Sequence, residues 1–120
     1  MTLPNLIKTV FWVAVVTVLY VALAPASQSP EVFMSDKVLH FAAFVALSGL
    51  AAVAFGVRRP VRLGFLLSAF GALIEFLQGL PLFGRDMSFG DWVADTVAVV
   101  LTLGALWLVG RRRPALTQAD

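Results

Sequence analysis

IEFLQGLPLFGRDMSFGDWVAD, residues 74–95, decides how this chain is read. Its apolar residues continue the runs on either side, yet Glu75, Gln78, Arg85, Asp86, Asp91 and Asp95 interrupt them. In a soluble protein those charges would lie on a polar surface. The rest of the chain excludes that reading: 60% of its 120 residues are hydrophobic and only 13% are charged, against about 25% in ordinary soluble domains. A chain this short exposes much surface when folded in water and has too few polar groups to cover it. The bilayer is the better solvent, so residues 74–95 mark where polar groups meet a membrane.

Working outward, four apolar runs appear, from about Leu6 to Ala24, Val38 to Val57, Val61 to Leu80 and Phe89 to Val109. Each matches the ~20 residues a helix needs to cross ~30 Å of hydrocarbon. Helix is required, because backbone groups in lipid must be paired within the segment. The expected fold is therefore all-α: one domain over residues 1–120, an integral membrane four-helix antiparallel bundle with both termini cytoplasmic. Residues 25–30, PASQSP, break the first helix. Arg58-Arg59-Pro60 makes a tight hairpin, residues 81–85 close the third helix, and Ser88 is placed to cap the fourth. The tail after Arg113 is expected to fray. Ala24-Pro25-Ala26 resembles a cleavage site, but the apolar run before it is long for a signal peptide and only Lys8 precedes it. An uncleaved anchor is expected.

Lys and Arg set the orientation. Lys8, Arg58, Arg59, Arg62 and Arg111 to Arg113 fall on one side with Asp120, a balance of +6. The other side receives Glu31, Asp36, Glu75, Asp86, Asp91 and Asp95 against Lys37 and Arg85, a balance of −4. The basic side should be cytoplasmic, which locates the protein in a bacterial inner membrane with its acids on the extracytoplasmic side. Topology explains the basic residues and the pI near 9.7, so no nucleic-acid partner is expected. There is no cysteine, which excludes disulfides, thiolate chemistry and Cys-ligated metals. No haem or nucleotide motif is present.

Asp36 and His40 are four apart, Glu75 and Gln78 three, Asp91 and Asp95 four, so each pair shares a helix face. Ser68 and Gly71 extend the Glu75 stripe; Ala98 and Thr102 extend that of Asp95. Small and polar residues favour helix packing in membranes, so these acids should point at neighbouring helices. Asp36-Lys37-x-x-His40, Glu75-x-x-Gln78, Arg85, Ser88, Asp91 and a polar residue at 95 form an ordered set. That set resembles the VanZ-like membrane proteins over about two thirds of the chain. The resemblance implies a role in the cell envelope linked to resistance to the glycopeptide teicoplanin, and implies no reaction. Two features depart from the family pattern: Asp95 where Asn is usual, and Ala98 and Thr102 where glycines are favoured.

Each residue has a functional and a structural reading. Lys37 and Arg85 suit a phosphate or pair with nearby acids. His40 and Glu75 are the candidates for a general base; His40, Glu75, Asp91 and Asp95 are the candidates to hold a divalent cation. His40 bonded to one carboxylate as a helix lock is the simpler alternative. Asp36 serves a site or caps the second helix, Asp91 a site or the fourth helix dipole. Glu75, expected to be the deepest acid, carries the sharpest functional signal, with Gln78 orienting it or meeting headgroups. Trp92 and Trp107 read as interface anchors, Asp86 and Glu31 as solvated loop charges. The preferred function is binding of a phospholipid or polyprenyl-phosphate headgroup by Asp36, Lys37, His40, Glu75, Gln78, Arg85, Ser88, Asp91 and Asp95. A membrane-embedded hydrolase or transferase is the alternative, and a packing or envelope-partner protein the third. Oligomeric state is not legible.

Overall fold

A computed structural model describes residues 2–25 and 35–112. The predicted loop over 26–30, Glu31, and the tail from Arg113 including Asp120 lie outside the described residues. Among the described residues four long helices form, α1 (Leu3–Leu23), α2 (Asp36–Phe55), α3 (Pro60–Gln78) and α4 (Phe89–Arg112), with a 3-10 turn at Pro81–Phe83. All four are long and apolar enough to cross a membrane. At 1.5 Å per residue their lengths match the ~30 Å hydrocarbon layer.

Local chemistry sets the ends. Thr2 caps α1 and Ser35 caps α2, its Oγ accepting from the Val38 N–H at 3.3 Å. Asp36 is thus a first-turn residue beside the helix dipole, so of its two readings the cap falls to Ser35, and α2 starts two residues before Val38. Gly56 stops α2 at Phe55 because it takes φ +84°, a conformation costly for residues with a Cβ. Pro60 opens α3, where its missing N–H costs nothing. This helix ends at Gln78, short of Leu80, and Pro81 starts the 3-10 turn. Ser88 does cap α4, its Oγ accepting from the Asp91 N–H at 3.3 Å. α4 runs to Arg112, past the expected Val109.

The path is antiparallel. At one end Lys8 of α1 sits over the Phe55 ring of α2 and Phe11 stacks edge-on against it. Gly64, early in α3, faces Val99 and Leu103, late in α4. The bases Lys8, Arg58, Arg59, Arg62 and Arg111 therefore gather at that end, and the acids of residues 36, 75, 91 and 95 at the other.

The core lies between α2, α3 and α4, where Phe44, Leu47, Ala51, Leu67, Ile74, Ala98, Val99 and Leu103 are buried. α1 packs against it more loosely, burying Phe11 and half-burying Ala14, Val15, Val18, Leu19 and Ala22. Large apolar residues such as Val13, Val16, Phe65, Phe76 and Val100 cover the outside, as lipid-facing helices require.

The α3–α4 seam is close. Gly71 lies against Asp95; a Cβ there would stand 2.8 Å from Asp95 Oδ2. The small residue that permits close approach is thus on α3, which answers the lack of glycines at 98 and 102 on α4. The Ser68 and Thr96 hydroxyls meet at 2.8 Å. Trp92 Nε1 donates to the Ser68 carbonyl at 3.1 Å. Trp92 therefore ties α4 to α3, a contact beyond the interface anchor expected of it. Trp107 stacks under Arg111 at 4.8 Å, at the basic end.

Candidate functional site

His40, the chain's single histidine, is buried one turn into α2 and is surrounded by carboxylates from three helices. Nδ1 stands 2.8 Å from Asp95 Oδ1 and 3.7 Å from Glu75 Oε1. Nε2 stands 3.7 Å from both Asp36 Oδ1 and Asp91 Oδ2. An ionised carboxylate only accepts, so the short contact is Nδ1–H donating to Asp95. Helical spacing explains the gathering: Asp36 and His40 share one face of α2, Asp91 and Asp95 one face of α4, and the Gly71 face of α3 brings Glu75 between them.

The two permanent cations lie at the rim. Lys37 Nζ is 3.3 Å from Asp91 Oδ1, while its own side chain is 63% exposed. Gly90 makes this possible, since a Cβ there would meet Lys37 Cε at 2.9 Å. Arg85 is buried. Its Nη1 donates to the Ala24 carbonyl at 3.0 Å and its Nη2 lies 3.9 Å from Asp36 Oδ1. Burial pulls the Arg85 guanidinium below its ordinary value, and Asp91 opposes that shift. It remains a cation.

Gln78 is buried, with Nε2 donating to the Ala22 carbonyl at 2.9 Å, and so does not sit free among headgroups. Together Gln78 and Arg85 bond carbonyls at the end of α1, where the helix leaves them without internal partners. Ser88 reaches Glu75 through its backbone, its N–H donating to Oε2 at 2.9 Å, while its Oγ caps α4 at Asp91. One Glu75 oxygen thus holds the start of α4. The other, Oε1, has no hydrogen-bond partner although buried; the same holds for Asp95 Oδ2 and, deeper in α2, Ser48 Oγ.

Most of the predicted set therefore meets at one end of the bundle. Asp36, His40, Glu75, Asp91 and Asp95 form the centre, with Lys37, Arg85, Gln78 and Ser88 attached to it. Asp86 is exposed in the loop, as expected. The depth order differs from expectation. Asp95 lies six residues inside α4 and is fully buried, whereas Glu75 is three residues from the end of α3. Gly90, Thr96 and Ser48 were not singled out from sequence. Only Gly90 carried a signal, a glycine in a helix first turn where it has no propensity advantage.

Two triads bring ligand atoms within 4.8 Å of one another: Asp36, His40 and Asp91, and His40, Glu75 and Asp95. A cavity of about 370 Å³ borders the first. Thr17, Val18, Val21 and Ala22 of α1, Leu39, Ala42, Ala43 and Phe44 of α2, and Ile74 of α3 give it apolar walls; Asp36, His40, Gln78 and Arg85 form its polar end. At the basic end a larger cavity of about 1010 Å³ is lined by Phe11, Trp12, Phe55, Phe70, Arg58, Arg59 and Arg62 among others. Compared with protein-family models, curated proteins and solved structures, the chain matches none.

Proposed function

We propose that this chain is a multi-pass protein of the bacterial inner membrane that binds a lipid by its polar headgroup. One observation carries the proposal: the cavity between α1, α2 and α3 is apolar along its walls and polar at one end. That is the shape and chemistry of an amphiphile. Its 370 Å³ would hold about a dozen water-sized groups at ~30 Å³ each, enough for a phosphate and the first part of a chain. Arg85, with Nη1 held by the Ala24 carbonyl, places its delocalised positive charge at the polar end of the cavity, where it attracts a phosphate, and Asp36 beside it accepts from an amine or hydroxyl on the same headgroup. Phospholipids and polyprenyl phosphates share this chemistry.

The gathering of Lys8, Arg58, Arg59, Arg62 and Arg111 at the opposite end supports a cytoplasmic basic end and an extracytoplasmic polar cluster. The VanZ-like pattern over residues 36–95 supports an envelope role, with glycopeptide resistance as its biological setting. Native mass spectrometry of the gently solubilised protein tests the reading. Wild type should retain a phosphate-bearing lipid, and the mass distinguishes a phospholipid from a polyprenyl phosphate. Arg85→Ala should lose it; equal retention by Arg85→Ala would overturn the reading.

One observation favours a second reading, a hydrolase or transferase acting on such a lipid. His40 lines the cavity while Asp95 holds its Nδ1, the relation a general base has to its orienting carboxylate. Turnover of the retained lipid that survives unchanged in His40→Gln would remove His40 from that role, and turnover unchanged in Glu75→Gln would remove Glu75, the other candidate base.

A further inference from the structure

We infer that His40 Nδ1, Glu75 and Asp95 form a binding site for one first-row transition-metal dication of zinc type. The inference stands apart from the lipid reading, which rests on the α1 side of His40, whereas this site lies between α2, α3 and α4.

A cluster of acids alone would not justify it; an unsatisfied oxygen does. Glu75 is 4% exposed and its Oε1 has no hydrogen-bond partner, yet it faces His40 Nδ1 at 3.7 Å. A buried carboxylate oxygen without a partner carries the full desolvation penalty, and an ion between it, Nδ1 and Asp95 removes that penalty. The distances fit. A tetrahedral zinc site with bonds near 2.0–2.1 Å has edges of about 3.3 Å. The two edges from Nδ1, 2.8 Å to Asp95 Oδ1 and 3.7 Å to Glu75 Oε1, bracket that value. On binding, the Nδ1 proton leaves and the ring keeps its other proton on Nε2. There Asp36 and Asp91, both at 3.7 Å, supply the outer carboxylates that commonly orient a metal-bound imidazole.

Charge points the same way. With the imidazole neutral, as ligation requires, and all four acids ionised, Asp36, Glu75, Asp91 and Asp95 against Lys37 and Arg85 would leave two negative charges. One dication balances them. Imidazole ligation favours zinc-like ions over magnesium or calcium, which take oxygen ligands. Three protein ligands leave a fourth position open.

The test uses tag-free full-length protein in mild detergent, stripped with a chelator and titrated with Zn²⁺. Calorimetry and native mass spectrometry should give one zinc per chain. Asp36→Asn, which removes an outer carboxylate, should weaken binding about 10-fold, and Glu75→Gln, which removes a ligand, more than about 100-fold. Because Glu75→Gln is open to misfolding, zinc-edge X-ray absorption of the wild type provides a second readout. His40 is the only histidine, so a single imidazole in the zinc shell can come only from it. No zinc uptake, a shell without imidazole, or equal uptake of Mg²⁺ in competition would overturn the inference. Lipid retention is read from the same spectra, so either proposal can fail alone.

Discussion

Replacing Gly71 with Ala tests whether the α3–α4 seam is as close as the site requires. The added Cβ would stand 2.8 Å from Asp95 Oδ2, 3.2 Å from its Cβ and 3.4 Å from its Cγ. Asp95 cannot simply swing away. It is fully buried, and its Oδ1 is bonded to His40 at 2.8 Å. The contact with Asp95 Cβ also survives any rotation of the carboxylate about χ2. The seam must therefore open by several tenths of an ångström, at the usual overpacking cost of ~1–3 kcal/mol. Ala also gains up to ~1 kcal/mol of helix propensity over Gly, which would mask part of that cost. Gly49→Ala supplies the control, because nothing lies within 4 Å of its added Cβ and it gains the same propensity. The steric cost is the difference between the two variants, measured by reversible unfolding in mixed micelles. Gly71→Ala should be less stable than Gly49→Ala by about 1–3 kcal/mol. Equal stability of the two would refute the close seam, and with it the placement of Asp95 against His40.

Two further substitutions separate the ties between helices from the charged centre. Trp92→Phe removes the hydrogen bond to the Ser68 carbonyl and should cost ~0.5–1.5 kcal/mol in the same unfolding assay; no loss would return Trp92 to the role of interface anchor. Asp95→Asn keeps an oxygen that can accept from His40 Nδ1 and should change stability by under ~1 kcal/mol, whereas a loss of ~3 kcal/mol or more would show that the charge itself holds α2 to α4.

The four spans and their antiparallel path were legible because apolar runs of about 20 residues have few alternatives in lipid. The cluster was legible for a related reason: i, i+3 and i, i+4 spacing fixed which polar groups share a face, and the hairpin path fixed which ends meet. Depth was misjudged. Glu75 is five residues from the expected end at Leu80 and three from the observed end at Gln78, whereas Asp95 is six residues inside α4 on either count. Hydrophobicity cannot locate a helix end where Gly79, Leu80 and Pro81 are all compatible with lipid. Sequence spacing also could not show which groups touch. Gln78 and Arg85 read as ligand contacts, yet both bond carbonyls at the end of α1. Nothing in the polar pattern of α3 signals that α1 would present those carbonyls.

The hardest feature to explain as packing alone is the number of acids. Ties outside the centre already join neighbouring segments: Gln78 to α1, Arg85 to the end of α1, Ser68 to Thr96 and to Trp92. All but Arg85 use neutral groups. A lock between α2 and α4 needs one acceptor for His40, and an amide would provide it without burying a charge. Instead four carboxylates lie within 3.7 Å of the ring. Buried ion pairs rarely repay their desolvation against apolar or neutral replacements, and intramembrane acids add an insertion cost. Arrangements that lose stability in this way persist where the charges meet a ligand in the native protein. The unpartnered Glu75 oxygen is where the proposed ion would make its contact, and the cavity beside Asp36 and Arg85 is where the proposed headgroup would meet the same His40. If both proposals hold, an ion on Nδ1 would leave the remaining ring proton on Nε2, toward Asp36 and Asp91, at the polar end of the cavity where the headgroup would sit.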